Sequence, residues 1–138
     1  FVAAPQYLAR HGIPTSADDL ARHQGIRMTN VAGSAVLAFA GKAGEHYNVP
    51  FDGRLRVDHG LAVREALLAG RGIAPTHRWL VDDLLASGRL EPILTGYTLP
   101  SVPLSMLIVP ERAAVARVRL LIDFLAAEIA TLPGMAPT

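Results

Sequence analysis

Gly53-Arg54-Leu55-Arg56-Val57-Asp58-His59-Gly60, running on through Leu61 to Leu68 and into Ala69-Gly70-Arg71-Gly72-Ile73-Ala74, is the stretch that decides the fold. Leu55 and Val57 alternate with Arg54, Arg56 and Asp58, the period of a half-buried strand. Val63, Ala66, Leu67 and Gly70 then fall at i, i+3, i+4 and i+7, one face of a helix. Gly70 ends that helix, Gly72 admits close packing, and Ile73 to Pro75 is a second strand. The unit is strand, helix, strand. Its strand-to-helix switch at Asp58-His59-Gly60 is where α/β domains hold ligands, because first-turn N–H groups point outward with partial positive charge. Asp58 is expected to cap the helix, with the 58–60 backbone and His59 lining a ligand.

The chain extends this pattern on both sides. Upstream, Phe1 to Ala4 reads as a buried strand, and Pro5 opens a helix through His11 that Gly12 stops. Ser16 and Asp19 have capping-box spacing for a short helix to Arg22. Strands follow at Gly25 to Val31, interrupted by Gly33-Ser34, at Val36 to Ala40, and at Tyr47 to Phe51. Asp52-Gly53 is a hairpin-type turn signal. Downstream, Thr76 is placed to cap a helix whose Leu80, Val81, Leu84 and Leu85 face inward while Arg78, Asp82 and Asp83 face water. Thr76-His77 repeats the electrostatics of the first switch point, and Trp79 is expected to be half-buried. Gly88 stops that helix, and Leu90 to Leu94 is a strand. Pro100-Ser101-Val102-Pro103 is a stiff connector. Leu104 to Val109 reads as a strand buried on both faces. Val115, Val118, Ile122, Leu125, Ile129 and Leu132 form the stripe of a last helix, stopped by Pro133-Gly134. The class is α/β with a mixed sheet.

Composition narrows the function. The 138 residues suffice for one domain with a core. A net charge of +1, with the basic residues scattered, gives no footprint for nucleic acid. No cysteine is present, so neither a disulfide framework nor thiolate chemistry is available. No run reaches the ~20 apolar residues of a membrane span, and Phe1-Val2-Ala3-Ala4-Pro5 has no signal-peptide character. A cytoplasmic location is expected. Starting directly in a strand suggests a piece of a longer chain.

Enzymatic signatures fail one by one. Gly41-Lys42-Ala43 lacks the P-loop hydroxyl, Gly70-x-Gly72 does not continue into a dinucleotide fingerprint, and no Gly-x-Ser-x-Gly elbow occurs. The five histidines (His11, His23, His46, His59 and His77) include no pair three or four apart, so no metal or other cofactor is expected. His11 and His23 are placed to meet the last carbonyls of their helices, and His46 to sit in a solvated turn.

Several segments together carry a family resemblance. They are Ala3-Ala4-Pro5-Gln6-Tyr7-Leu8-Ala9-Arg10-His11-Gly12-Ile13-Pro14, Ser16 to His23, Gly53 to Ala74, Arg78-Trp79-Leu80-Val81 through Gly88-Arg89-Leu90, Pro103 to Pro110, and Ile122-Asp123-Phe124-Leu125. Their order and spacing resemble the effector-binding domain of LysR-type transcriptional regulators over nearly the whole chain. An aromatic common near Leu37 is missing, Met28 to Ser34 matches poorly, and His59 is unusual beside Asp58.

The resemblance implies a periplasmic-binding-protein-like effector domain, with a mixed sheet flanked by helices. Residues 1–100 would form the complete second subdomain. Residues 101–138 would be the crossing segment plus the C-terminal strand and helix of the first. It implies a small-molecule effector, a carboxylate by the helix-terminus argument, bound at Asp58, His59, Gly60, Thr76 and His77. Pro100, Val102 and Pro103 would form a hinge. The partners implied are a second or further copies in a homodimer or homotetramer, and DNA through an N-terminal helix-turn-helix outside this chain. No membrane partner and no catalysis are implied. A solute-binding protein of the same architecture, or an enzyme using His59, are the alternatives. The apolar C-terminal stripe should need a partner surface. Burying ~500 Å² of it is worth roughly 12 kcal/mol, so the 138 residues alone should self-associate.

Overall fold

The computed structural model describes residues 1–29 and 35–135. The chain divides into two compact units, Phe1–Pro100 and Ser101–Thr138.

The first unit is built on short strands. They are β1 (Val2–Ala3), β2 (Ile26–Met28), β3 (Val36–Ala40), β4 (His46–Pro50), β5 (Leu55–Val57), β6 (Ile73–Ala74) and β7 (Glu91–Pro92). β1 pairs antiparallel with both β6 and β7, and β2 pairs parallel with β5 in the register Ile26 to Leu55. A single parallel bridge, Gly25 to Ile73, joins the two groups into one mixed sheet ordered β5-β2-β6-β1-β7. β3 and β4 form a separate hairpin.

Alternation along the strands sends neighbours to opposite faces. Val2 and Ala74 join Ile26, Val63, Leu67, Val81 and Leu84 in one core cluster. Ala3 and Ile73 join Tyr7, Leu8, Leu20, Phe39 and Phe51 in another. The sheet is therefore covered on both sides. Helices α2 (Gly60–Leu68) and α3 (Arg78–Ala86) cover one face. Helix α1 (Pro5–His11), the 3-10 helix Asp18–Arg22 and the hairpin cover the other.

The expected elements mostly form, with physical corrections. Asp52-Gly53 makes no hairpin, because β5 pairs parallel with β2 and not back onto β4. Glycine is required there for approach: a Cβ on Gly53 would sit 2.0 Å from the Gly25 carbonyl oxygen. Gly72 is held the same way, with a Cβ 2.2 Å from Gln24 O, and Gly70 ends α2 at φ 63°. The Ser16 box closes by half. Asp19 Oδ2 accepts the Thr15 and Ser16 N–H groups at 2.9 Å, holding the Asp19 carboxyl well below the usual range. Ser16 returns no cap, and the helix is 3-10. Val31 and the Gly33-Ser34 break lie outside the described residues.

The second unit holds a short 3-10 turn, Pro110–Arg112, and α4 (Ala116–Ala130). Leu104 to Val109 forms no strand and is exposed throughout, Leu107 at 95%. An extended segment needs a ladder for its N–H and C=O groups, and no ladder is formed here. The apolar stripe of α4 is present, but Leu121 and Phe124 are exposed and the helix has no buried residue.

Candidate functional site

The parallel strands β5, β2 and β6 end side by side at Val57, Met28 and Ala74. Two of these ends feed helices, so the starts of α2 and α3 open at the same edge of the sheet. Gly60 brings the two helices together: a Cβ there would lie 3.2 Å from Leu80 Cδ2. Arg64 fixes the pair. It donates to Leu80 O at 2.7 Å and makes a two-pronged contact with Asp83, both prongs at 2.6 Å. Hydrogen bonding to Arg64 holds the Asp83 carboxyl at about 2 and raises the Arg64 guanidinium. Asp83 was expected to be merely solvated. Its partner lies 19 residues away on another helix, and no local pattern signals such a pair.

The two helix starts differ. His59, not Asp58, is the N-cap of α2: its Nδ1 accepts the Leu61 N–H at 3.2 Å. Extended backbone at His59 (φ −133°, ψ 136°) turns the ring back over the first turn, a geometry that a residue one place earlier does not reach. Accepting at Nδ1 puts the neutral ring's proton on Nε2. His59 O also takes the Ala62 and Val63 N–H groups at 3.0 and 3.2 Å. Asp58 is exposed in the link.

α3 has no side-chain cap. Its N-cap is His77, not Thr76. Thr76 stands one residue too early and is half-buried. Leu80 N–H reaches His77 O at 3.1 Å, while the Arg78 and Trp79 N–H groups make no hydrogen bond among the described residues. Trp79 is 44% exposed, more than expected, and its ring stacks on His77 with centroids 5.8 Å apart and planes at 13°. The open start of α3 thus offers two backbone donors beside an aromatic face. Thr29, which the sequence did not single out, stands between the two switch points. Its N–H and Oγ1 both donate to Val57 O, at 2.8 and 3.3 Å.

Of the expected site residues, Asp58, His59, Gly60, Thr76 and His77 all fall at this one edge. Pro100 closes the first unit, and Val102 and Pro103 lie exposed in the second. His11 behaves as expected, with Nδ1 3.0 Å from Tyr7 O. His23 does not: it is buried, 3.2 Å from the Tyr7 hydroxyl. His46 is exposed, in β4 and not in a turn. Among the described residues, no cluster of three or more His, Cys, Asp or Glu could hold a metal. None of the described helices is long and apolar enough to cross a membrane.

Comparison with known proteins agrees with this architecture. The family model of the LysR substrate binding domain matches residues 1–130. The HTH-type transcriptional regulator CrgA of Neisseria meningitidis serogroup C is 33% identical over 129 residues, 93% of this chain and 42% of that protein. The solved structure of CrgA, a LysR-type transcriptional regulator, superposes with a TM-score of 0.79 at 30% identity, covering 94% of this chain and 44% of that one. The full-length Vibrio cholerae virulence activator AphB gives 0.79 at 28% identity, over 92% and 43%. The chain thus spans less than half the length of these relatives. With its two-faced mixed sheet, its helix starts gathered at one edge, and a family match over nearly its whole length, the chain belongs to the LysR-type regulators, as their periplasmic-binding-protein-like substrate-binding domain.

Proposed function

We propose that this chain is the effector-sensing part of a bacterial transcriptional regulator. A small carboxylate binds in a cleft walled by the starts of α2 and α3. The bound state favours one subdomain arrangement over another and so changes how an oligomer presents its DNA-binding heads. Residues 1–100 serve as the second subdomain of that effector domain and 101–138 as the crossing and C-terminal part of the first, with Pro100, Val102 and Pro103 as the hinge. DNA is contacted through an N-terminal helix-turn-helix outside this chain. The regulator works as a homodimer or homotetramer in the cytoplasm, and it catalyses nothing.

The observation that carries the binding reading is the uncapped start of α3, held beside the His59-capped start of α2 by the Arg64 clamp. Free first-turn N–H groups with a favourable dipole receive an anion without a formal cation. His59 Nε2–H, Gly60, Thr76 and His77 complete the wall.

The test uses the full-length regulator on its own promoter DNA, with acetate, succinate and benzoate as probes. A carboxylate that binds should change the extent of DNA protection. His59→Ala should weaken its dissociation constant about tenfold, the worth of one charge-assisted hydrogen bond, with the domain still folded. An unchanged constant would remove His59 from the site. No response to any carboxylate would remove the carboxylate assignment.

A further inference from the structure

The opposite edge of the same parallel strands carries a second concave region. A depression of about 370 Å³ is lined by Arg22, His23, Gln24, Asp52, Gly53 and Arg54. Its floor is tied down where Gly25 N–H donates to Asp52 O at 2.8 Å and Ile73 N–H to Gln24 O at 2.9 Å. These bonds mark the N-terminal ends of β2, β5 and β6, whereas α2 and α3 start at the C-terminal ends.

His23 is the informative group. It is only 9% exposed, yet it lines the depression. Gln24 N–H donates to the Tyr7 hydroxyl at 2.9 Å, and that hydroxyl lies 3.2 Å from His23 Nδ1. With one side of the phenol oxygen accepting, its own hydrogen goes to Nδ1, and the neutral ring carries its proton on Nε2. Nε2 has no hydrogen-bond partner among the described residues. Burial foremost, then the charges of His11 and Arg22, lower the His23 pKa, so at neutral pH the ring is a neutral donor.

The surrounding charge selects the ligand. Asp52 would repel an anion, but Arg27 at 3.1 Å and Arg56 at 3.7 Å engage it. Asp19 is engaged by Arg22. Arg54 has no carboxylate partner among the described residues. Four guanidinium groups therefore face two carboxylates. A cation would have to displace an arginine from either carboxylate, while an anion meets an unpaired one.

We propose that this depression is a second small-ligand site, specific for an oxyanion, in which Arg54 supplies the charge and His23 Nε2–H supplies the directional donor. Arginine forks suit carboxylate and phosphate oxygens alike. The site is separate from the effector cleft and does not depend on it.

Calorimetry on the full-length protein tests this, with inorganic phosphate and acetate as probes at constant ionic strength. Saturable binding of at least one probe is expected in the wild type. It should weaken about tenfold in Arg54→Gln, the loss of a charge-assisted contact, and comparably in His23→Gln. It should stay unchanged in His59→Ala and in Arg89→Gln, which removes a charge from a separate depression lined by Ala4, Pro5 and Leu68. Phosphate binding without acetate binding would assign the oxyanion to a phosphate group, and the reverse to a carboxylate. If His23→Gln fails to fold, the exposed Arg54→Gln decides. No saturable binding, or equal losses in Arg54→Gln and Arg89→Gln, would overturn the proposal. A loss in His59→Ala with none in Arg54→Gln would place the anion in the effector cleft and overturn it as well.

Discussion

The two units of this chain solve the same problem to different degrees. In Phe1–Pro100 every strand of the central sheet is so short that neither face could stand alone, yet both are covered. Ala3 and Ile73 bury on one side, Val2 and Ala74 on the other. In Ser101–Thr138 a more apolar sequence stays in water: Leu120 is 71% exposed, Phe124 60% and Leu107 95%. Apolar content alone therefore does not secure burial. The first unit supplies opposing layers within its own hundred residues, whereas an exposed patch of this size marks a surface made for burial. Stability should therefore be concentrated in the first unit.

Truncating the core is the strongest way to break that contrast. Leu67→Ala removes a fully buried side chain from the α2 face and should cost about 2–5 kcal/mol. Leu120→Ala in α4 should cost less than about 0.5 kcal/mol in the 138-residue chain. Denaturant unfolding of both variants checks this, and comparable losses would mean that α4 is buried in solution.

Next comes acid. The pKa of His23 is lowered in the fold, so the unfolded chain binds the proton more readily. The stability linked to His23 is complete above the ordinary histidine range near 6.5, and it is lost as pH falls from there towards the lowered folded value. Unfolding midpoints should therefore begin to drop below about pH 6.5, before the carboxylates titrate. His23→Gln should flatten that part of the curve, and a parallel curve would show that His23 is not the group responsible.

Arg64→Ala should act more weakly still. It frees Leu80 O and Asp83 and should speed amide exchange in the first turns of α2 and α3, with little effect at β1. The native pair should also open at low pH. The Asp83 carboxyl sits at about 2 against an ordinary 3.8, so its contribution is complete above about pH 4 and disappears as pH falls through about 2. Uniform exchange in the variant would show that the clamp positions nothing.

Within the first unit, His59→Ala should cost about 0.5–1 kcal/mol for a lost N-cap. His59→Asn, whose side-chain oxygen can cap, should restore most of it.

Much of this was legible in the sequence, for reasons that particular residues show. The alternation at Leu55 and Val57 and the helical spacing of Val63, Ala66 and Leu67 are local signals, and they placed β5, α2 and the switch point correctly. Gly70 and Gly72 told of a stop and a close approach because sterics alone require glycine there. Asp52-Gly53 misled because a turn signal and a close-packing glycine look identical in one dimension; only the pairing of β5 with β2 separates them. Asp58 and Thr76 have better capping chemistry than histidine, yet each lies one residue outside the position that the backbone presents to the helix. The clamp of Arg64 on Asp83 and the chain from Gln24 through Tyr7 to His23 join residues 16 to 19 apart, and no periodicity encodes them. Leu104 to Val109 has the composition of a buried strand, but composition cannot supply the neighbour that a strand needs.

The central claim is that an anionic effector is received at the open start of α3 beside the closed start of α2. Amide chemical-shift mapping on the full-length regulator, titrated with succinate and benzoate, tests it most directly. The account predicts that the Arg78 and Trp79 N–H resonances shift most, that Gly60 shifts less, and that Leu61, already bonded to His59, barely moves. Saturating shifts confined to residues away from Gly60, Arg78 and Trp79 would contradict it.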